Sequence, residues 1–525
     1  MIGLWILLIS LVPVPQGPDF DLLIRNARVI DGTGNPWYLG SVGIKDGRIA
    51  AVGSLSGSSA TREIDAGGRV LSPGFIDVHT HIETTRTGGI EKVPRGDNYL
   101  RDGVTTVVTG NCGSSEITIG AWFEKLEKLG LGINVASLIG HNSVRRAVMG
   151  DENRSASAAE FAQMQGLIEK AMQEGAVGFS TGLLYVPGTY AGTEEVVALA
   201  RAAAKHGGIY ASHIRDQGEQ LMESIIEAVT VGQRAGMPVQ ISHFKVNSKK
   251  RWGDSVRSIN LVDGFRQDGV DVAVDWYPYD RASTSLSITI PSWALAGGQE
   301  KMRARLRNPS ERARIASGMK DLLSYNGFSD YSYATVASYP PDPGIEGKAI
   351  AEITILRGRT ATVENEIATI LDLIEQHDAS MIYHTMSMED VERICRYPNT
   401  AVASDGGVQE FGVGVPHPRS YGTNARVIAE FVRRRKVLTL EDAVRRMTSL
   451  PALRFGFADR GMIREGMTAD VVLFDPEKVE DKATFEQPHQ FSDGFDLVVV
   501  NGAVAVDGGR LTDARAGRIL LHRHK

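Results

Sequence analysis

The chain has 525 residues and a formal net charge of −6 at pH 7, with 42% hydrophobic and 23% charged residues. These proportions are typical of a folded globular protein and exclude a disordered or strongly basic chain, so we expect no nucleic-acid partner. The sequence contains two cysteines, too few for a disulfide framework, and its length predicts a large domain with a smaller unit attached.

The chain starts with an apolar run, MIGLWILLISLV, over residues 1–12. The run is too short to cross a bilayer comfortably, so we expect no stable membrane span, and it is typical of the central region of a signal peptide. No lysine or arginine precedes it and no clean cleavage site follows, which leaves a start-site extension or a packed strand as alternatives. We predict that residues 1–17 are a signal peptide for export to the periplasm or the medium, with a cytoplasmic location as the alternative.

Strand and turn patterns occupy both ends of the remaining chain. DLLIRNARVIDGTG (21–34) and SVGIKDGRIAAVG (41–53) alternate apolar and polar residues around Asp-Gly turns. GMIREGMTADVVLFD (461–475) and DLVVVNGAVAVDGGR (496–510) have the same character. We therefore predict a small β-sandwich that combines residues 18–70 with residues 456–525.

Between these ends, short β-rich runs alternate with helical patterns such as SAAEFAQMQGLIEKAMQEG. Eight such β-then-α units predict an α/β fold, a closed parallel (β/α)8 TIM barrel over residues 71–455, with a doubly wound open sheet as the alternative. The predicted strands are 69–79, 104–110, 133–140, 176–181, 208–213, 238–243, 270–276 and 400–405.

One stretch interrupts the alternation. Residues 286–350 are rich in Pro, Ser, Tyr and Arg, and we predict that they form an insertion after the seventh strand, positioned to cover a site. The run MIYHTM (381–386) also reads as a strand. It is either the eighth strand in an altered register or part of the return from the insertion.

Metal-competent side chains stand at the ends of the predicted strands, where barrel enzymes carry their chemistry. His79 and His81 end the first strand, and because residues i and i+2 of a strand face the same way, both imidazoles point into the barrel mouth. Alone, a His-x-His pair is weak evidence. The other candidates are Cys112 after the second strand, His213 and His243 at the ends of the fifth and sixth, and Asp405 at the end of the eighth. Imidazole, thiolate and carboxylate are the usual ligands of zinc.

These motifs resemble a known family. GFIDVHTH, VTGNCG, STGLLYVPG, ASHIRDQG, ISHFK and VASDG occur in the order seen in the amidohydrolase superfamily, and more narrowly they are similar to its D-aminoacylase branch, the N-acyl-D-amino-acid deacylases. The resemblance extends from about residue 21 to residue 507. Many binuclear members of the superfamily carry a lysine at the end of the fourth strand, whereas this chain has Gly178-Phe179-Ser180-Thr181 there and a cysteine, Cys112, after the second strand.

The resemblance implies a metal arrangement. It assigns one tight zinc to Cys112, His213 and His243, and a second, looser metal to His79, His81 and Asp405. An inert buried thiol is the alternative interpretation of Cys112.

The resemblance also implies substrate contacts. A substrate carboxylate calls for cationic or phenolic donors near the metal. Lys245 lies two residues beyond His243, and Arg419 follows Asp405 in HPRSYG. The residues that match substrate-contacting positions of the family are Tyr185, Tyr277 and Ser283.

The sequence therefore predicts a zinc-dependent hydrolase of N-acyl-D-amino acids or D-configured dipeptides, acting through a metal-activated water with Asp405 as general base and acid. The preference for D over L substrates comes from the resemblance alone. Two alternatives remain: another amidohydrolase activity, on cyclic amides such as dihydroorotate and hydantoins or on lactones, and an exported metal-binding protein without catalysis. The acyl group, the preferred side chain and the oligomeric state are not fixed by the sequence.

Overall fold

The N-terminal strands belong to a β-sheet, as the alternating pattern predicts. The computed structural model describes residues 18–83, 85 and 87–522, so the predicted signal peptide lies outside the described residues. The turn between the second and third strands has positive φ at both Asp46 and Gly47, the geometry of a tight hairpin. The strands are β1 (Phe20–Val29), β2 (Tyr38–Lys45), β3 (Arg48–Gly53), β4 (Ala60–Asp65) and β5 (Val70–Pro73).

Strands and helices then alternate, and each barrel strand is buried on both faces, as parallel strands covered by helices are. β8 and β9 are two parts of one strand, interrupted at Leu138. The elements are β6 (Phe75–Asp77), α1 (Asp97–Leu100), β7 (Val104–Thr109), α2 (Ile119–Leu129), β8 (Asn134–Ser137), β9 (Ile139–Gly140), α3 (His141–Met149), α4 (Ala158–Gln173), β10 (Gly178–Gly182), α5 (Thr193–Ala204), β11 (Ile209–His213), α6 (Leu221–Ala235), β12 (Val239–Ile241), α7 (Ser255–Gln267) and β13 (Val272–Trp276).

The insertion after β13 is longer than the predicted 286–350. It forms a unit with its own three-stranded antiparallel sheet, in the order β14-β16-β15, and its own hydrophobic core. Its elements are β14 (Arg281–Ser285), α8 (Ser292–Leu295), α9 (Gly298–Arg307), α10 (Pro309–Tyr325), β15 (Ala334–Ser338), α11 (Ile350–Leu356), α12 (Val363–Gln376) and β16 (Ser380–His384).

The run MIYHTM supplies most of β16, the central strand of the insertion. It is therefore part of the insertion's return and not the eighth barrel strand. β16 pairs antiparallel with both β14 and β15, and Met381 and Tyr383 are buried in the insertion's core. A barrel strand would instead pair in parallel with its neighbours.

The chain then returns to the barrel and closes it. β17 pairs in parallel with β13, and beyond its end the Asp405 N–H donates to the His79 carbonyl at 2.8 Å, while the His81 N–H donates to the Gly406 carbonyl at 2.7 Å. The first and last strands are thus joined at their carboxyl ends. The elements here are α13 (Met388–Arg396), β17 (Thr400–Val402), α14 (Arg419–Arg426), a π-helical segment (Val427–Arg434), α15 (Leu440–Met447) and α16 (Ser449–Arg454).

The C-terminal strands complete the sheet that the N-terminal strands begin, because β18 pairs antiparallel with β5. The nine-stranded sheet runs β21-β20-β19-β18-β5-β1-β2-β3, with β4 beside β1. The predicted fold class, a (β/α)8 barrel with a small β-unit built from both chain ends, is confirmed. No helix in the described part of the chain has the length and apolar character needed to cross a membrane. The last strands are β18 (Val471–Phe474), β19 (Phe495–Val500), β20 (Ala503–Asp507) and β21 (Arg510–Leu511).

A buried carboxylate, that of Asp470, connects the terminal sheet to the barrel. Asp470, directly before β18, pairs with Arg460, and both residues are buried. The Asp470 carboxylate also accepts from the Asn134 amide of β8 at 3.1 Å and from the Asn501 N–H at 2.6 Å.

We expect Asp470→Ala to lower the free energy of unfolding by about 3 kcal/mol, because the buried Arg460 guanidinium loses its buried counter-charge and keeps only the partly exposed Asp459, 3.1 Å away. Urea denaturation of the full chain measures the change. Asp507→Ala is the matched control, since Asp507 pairs with Arg62 at the exposed edge of the same sheet and its loss should cost less than about 1 kcal/mol. Equal losses for the two variants would contradict this role for Asp470.

Candidate metal centre and active site

Six side chains that the sequence predicts as metal ligands meet at the carboxyl end of the barrel. They are His79 and His81 after β6, Cys112 after β7, His213 at the end of β11, His243 after β12 and Asp405 after β17. All are buried except His81, which is partly exposed. Three sets of three ligand atoms each lie within 4.8 Å of one another. The sets are His79, His81 and Cys112; Cys112, His213 and His243; and His79, His243 and Asp405.

Cys112 lies at the centre of this cluster. Its Sγ is 3.3 Å from His79 Nε2, 3.5 Å from His213 Nδ1 and 3.4 Å from His243 Nε2. His243 Nε2 and His213 Nδ1 are 2.7 Å apart, which makes Cys112, His213 and His243 a compact set. The thiol also reaches His79, which the sequence places in the second set, so the two predicted positions share an edge.

The looser set is held together by Asp405. Its Oδ1 lies 3.2 Å from His81 Nε2 and 3.5 Å from His79 Nε2. The other carboxylate oxygen, Oδ2, lies 2.9 Å from Nη1 of Arg419. Asp405 therefore contacts the imidazoles with one oxygen and a buried guanidinium with the other.

Three of the six residues have a left-handed backbone. Cys112, His243 and Asp405 have φ of 52°, 36° and 51°, which is uncommon for residues other than glycine and costs about 1–3 kcal/mol each. Local contacts impose these conformations. The His243 N–H donates to Asp275 Oδ1 at 2.7 Å, and the Asp405 N–H donates to the His79 carbonyl. The turns aim the three side chains from the strand ends toward one point.

The two acidic groups of the cluster are anionic. Burial raises the pKa of the Cys112 thiol, but the protonated imidazole of His79, together with hydrogen bonds to His213 and His243, outweighs burial and holds that pKa well below its usual range. Burial also raises the pKa of Asp405, and Arg419 and His79 reverse the shift and hold it well below its usual range. The site thus contains a thiolate and a carboxylate at neutral pH.

The four imidazoles divide into two pairs. Burial lowers the pKa of His213, and burial together with Lys245 lowers the pKa of His243 to about 3, so both rings are neutral. Burial also acts to lower the pKa values of His79 and His81, but the neighbouring thiolate and carboxylates raise them, that of His81 to about 10. Protons on these two rings balance the anionic groups, and a bound dication would replace those protons. The donor set therefore fits zinc.

Two supporting residues were not predicted from the sequence. Asp275 is buried within β13, and its Oδ1 lies 3.2 Å from His79 Nδ1. This contact fixes the orientation of the His79 ring, whose other nitrogen, Nε2, faces the cluster. The Gln217 amide lies 3.1 Å from His243 Nδ1 and does the same for that ring. The signal for Asp275 was available, because it is a charged residue in the apolar strand VDVAVDW. Gln217 lies in a loop, where its sequence offers no such signal.

A cavity of about 490 Å³ opens above the cluster, and all five predicted substrate contacts line it. The Lys245 ammonium and the Arg419 guanidinium lie 5.3 Å and 4.9 Å from the ring centre of Tyr277. Burial lowers the pKa of Lys245 to about 7. The Tyr185 ring packs against His213, with centroids 4.6 Å apart. The Ser283 hydroxyl donates to the Met381 carbonyl at 2.8 Å, so it also joins β14 to β16.

Arg419 is held in place by His417, another residue that the sequence analysis did not assign. His417 Nδ1 accepts from the Arg419 N–H at 3.0 Å, and its Nε2 donates to the Arg281 carbonyl at 3.0 Å. The ring thereby connects the start of α14 to the start of β14. This contact positions the guanidinium beside Asp405.

A model of the amidohydrolase family matches residues 62–275 and 391–506, and the insertion lies in the gap between these ranges. Three proteins of Alcaligenes xylosoxydans xylosoxydans each align with 95% of this chain. A D-aminoacylase is 33% identical over 97% of its own length, and an N-acyl-D-glutamate deacylase is 36% identical over 96% of its length. An N-acyl-D-aspartate deacylase is 33% identical over 95% of its length.

Two solved structures are similar throughout. The first is a structure of D-aminoacylase that addresses one-metal activation and second-metal attenuation by its binuclear metal centre. It is 34% identical to this chain with a TM-score of 0.82, and the match covers 96% of this chain and 100% of that chain. A structure of N-acyl-D-glutamate deacylase from Bordetella bronchiseptica holds zinc and a phosphonate inhibitor that mimics the tetrahedral intermediate. It is 33% identical with a TM-score of 0.81 and covers 96% of this chain and 99% of its own.

We expect Cys112→Ala to weaken zinc binding at least about 100-fold, because it removes the thiolate shared by two of the three ligand sets. Zinc content after competition with a chelator measures the loss. Cys395→Ala is the matched control, since Cys395 is a buried thiol on α13 outside the cluster. Retention of zinc by Cys112→Ala at the level of the control would contradict the assignment.

Proposed function

Because the chain belongs to the amidohydrolase family, and within it to the D-aminoacylases, we propose that it hydrolyses the amide bond of N-acyl-D-amino acids or D-configured dipeptides. The products are a carboxylate and a free D-amino acid. The observation that carries the proposal is that one cavity joins the thiolate-centred cluster to the cationic groups of Lys245 and Arg419. The D configuration is inferred from the relatives.

We propose zinc as the metal, held tightly by Cys112, His213 and His243, with a second and weaker position at His79, His81 and Asp405. The compact first set and the anionic thiol support this division. When bound, zinc would activate a water at neutral pH and polarise the carbonyl of the scissile amide.

Asp405 is the proposed general base and acid. Its carboxylate is unprotonated at neutral pH, because Arg419 and His79 hold its pKa well below the usual range. It can therefore accept a proton from the attacking water at Oδ1 and deliver that proton to the leaving nitrogen. The contact of Oδ2 with Arg419 fixes the orientation of the carboxylate during both transfers.

The substrate carboxylate is proposed to bind near Lys245, Tyr277 and Arg419. The Arg419 guanidinium and the Lys245 amine, whose pKa burial lowers to about 7, flank the Tyr277 ring, and the buried Tyr277 hydroxyl has no hydrogen-bond partner within the described residues. A bound carboxylate would supply that partner and would offset the buried positive charge. Tyr185 and Ser283 complete the walls of the same cavity.

We also propose that residues 1–17 direct export, on the basis of their apolar sequence alone. The mass of the N-terminal peptide of the protein isolated from its native cells tests this. Loss of this segment, with the protein outside the cytoplasm, would support export, and an intact N-terminus on cytoplasmic protein would contradict it.

We expect Asp405→Asn to lower kcat by about 10²–10⁴-fold, because the amide retains the shape of the carboxylate but cannot accept the proton. Steady-state kinetics measure the loss, and zinc analysis of the same sample should show the tight metal still bound. Asp342→Asn, at an exposed position of the insertion, is the matched control. Unchanged kcat in Asp405→Asn would remove Asp405 from the mechanism.

A panel of D- and L-configured N-acetyl amino acids together with hydantoins separates the proposal from its alternatives. We expect hydrolysis of the linear D-configured amides, because the relatives that align over the whole chain act on N-acyl-D-amino acids. Preferential hydrolysis of hydantoins would favour a cyclic amidase. No hydrolysis of any member by zinc-loaded protein would favour a metal-binding protein without catalysis.

A further inference from the structure

The cavity above the metal cluster continues into a part that is walled mainly by the insertion. We call this part the side chamber. Its apolar lining consists of Leu184 from the barrel and of Ile288, Leu322, Leu323, Phe328 and Tyr333 from the insertion. These side chains give a hydrophobic wall to the cavity that also contains the metal cluster. The polar side chains of Thr284, Thr289 and Asn326 from the insertion line the same cavity.

The aromatic wall of the side chamber is ordered by stacking. The rings of Phe328 and Tyr333 are nearly parallel, with centroids 4.1 Å apart, and Tyr383 lies 6.0 Å from Tyr333. The hydroxyl of Tyr383 donates to the Ser285 carbonyl at 2.9 Å and that of Tyr331 to the Met319 carbonyl at 3.3 Å. These two tyrosines therefore direct their polar atoms to the backbone and present ring surface to the cavity.

Charge in the side chamber also argues for a neutral ligand. Among the described residues that line the whole cavity, the cations Lys245 and Arg419 lie at the metal end, together with Asp405. The other acidic residue in the lining is Asp216, which accepts from the Tyr325 hydroxyl at 3.0 Å. A carboxylate in the side chamber would meet this aspartate without a facing cation and would lose its hydration.

An adjoining cavity of about 420 Å³ shares Leu184, Ile288 and Leu322 with the side chamber and is lined by two arginines. Both have protein partners. Arg146 pairs with Asp151 at 2.9 Å and also donates to the Val186 carbonyl, and Arg303 donates to the Gln376 carbonyl at 3.1 Å. The Nε of Arg303 has no hydrogen-bond partner among the described residues, but the carboxylates of Asp151 and Asp378 line the same cavity and would repel a substrate carboxylate there.

We propose that the side chamber binds the side chain of the D-amino acid and selects neutral, apolar side chains over acidic ones, with Ile288 as a specificity-determining residue. This inference rests on the proposed function. Sequence identity does not choose between the alternatives, since the D-aminoacylase and the D-glutamate and D-aspartate deacylases are all 33–36% identical to this chain. The hydrophobic lining of the side chamber favours apolar side chains over the acidic ones of D-glutamate and D-aspartate.

The test compares kcat/KM of the zinc-loaded protein for N-acetyl-D-leucine and N-acetyl-D-phenylalanine with kcat/KM for N-acetyl-D-glutamate and N-acetyl-D-aspartate. We expect the apolar substrates to be favoured at least about 100-fold. An equal or greater kcat/KM for the acidic substrates would overturn the assignment of the side chamber and leave the proposed function intact. No hydrolysis of any of the four would instead overturn the proposed function and this inference with it.

A variant tests the role of Ile288 directly. Ile288→Arg places a cation in the side chamber. It should raise the ratio of kcat/KM for N-acetyl-D-glutamate to kcat/KM for N-acetyl-D-leucine at least about 10-fold. Ile355→Arg is the matched control, because Ile355 is 60% exposed on α11 of the same insertion, and its ratio should equal that of the parent protein. Ile288→Gln replaces the arginine variant in this test if that variant does not fold, and it should lower kcat/KM for N-acetyl-D-leucine. Unchanged values in the folded Ile288 variants would overturn this role.

Discussion

The buried negative charge at the carboxyl end of the barrel is the interaction on which the site depends. The thiolate of Cys112 and the carboxylate of Asp405 lie in a region where an unpaired ion would cost several kcal/mol. Four imidazoles and the Arg419 guanidinium surround them and lower their pKa values. Such a cluster of ligands fits a cation, because a bound dication would offset the buried negative charge and release the protons that otherwise balance it.

The contacts that close the barrel also bring the metal ligands together. The hydrogen bond from Asp405 to the His79 carbonyl joins the last strand to the first, and it also brings two ligands together. Asp275 accepts from the His243 backbone and faces the His79 ring, so one buried carboxylate connects the sixth, seventh and first strands. The strained turns at Cys112, His243 and Asp405 are stable because these neighbours fix them.

The sequence was sufficient to predict those features that depend on short-range pattern. Each of these ligands ends or follows a recognisable strand: His79, Cys112, His213, His243 and Asp405. Parallel strands of a barrel bring their ends together, so the convergence of these residues could be anticipated. The extent of the insertion could not be predicted, because β16 is defined by antiparallel pairing with strands that lie far away in the chain. Gln217 and His417 were missed for a similar reason, since their roles depend on distances between loops. The two metal positions predicted from the sequence are less separate in the structure, because the Cys112 thiol lies close to ligands of both sets.

The central claim is that the zinc proposed at Cys112, His213 and His243 supports amide hydrolysis, with the Cys112 thiolate as one of its ligands. It is tested most directly by loading metal-free protein with one equivalent of zinc, recording the zinc K-edge X-ray absorption fine structure, and assaying hydrolysis of N-acetyl-D-leucine and N-acetyl-D-glutamate in the same sample. The account predicts one sulfur ligand at about 2.3 Å with nitrogen and oxygen ligands at about 2.0–2.1 Å, together with full activity. A first shell of nitrogen and oxygen alone, or activity that appears only with the second equivalent, would contradict it.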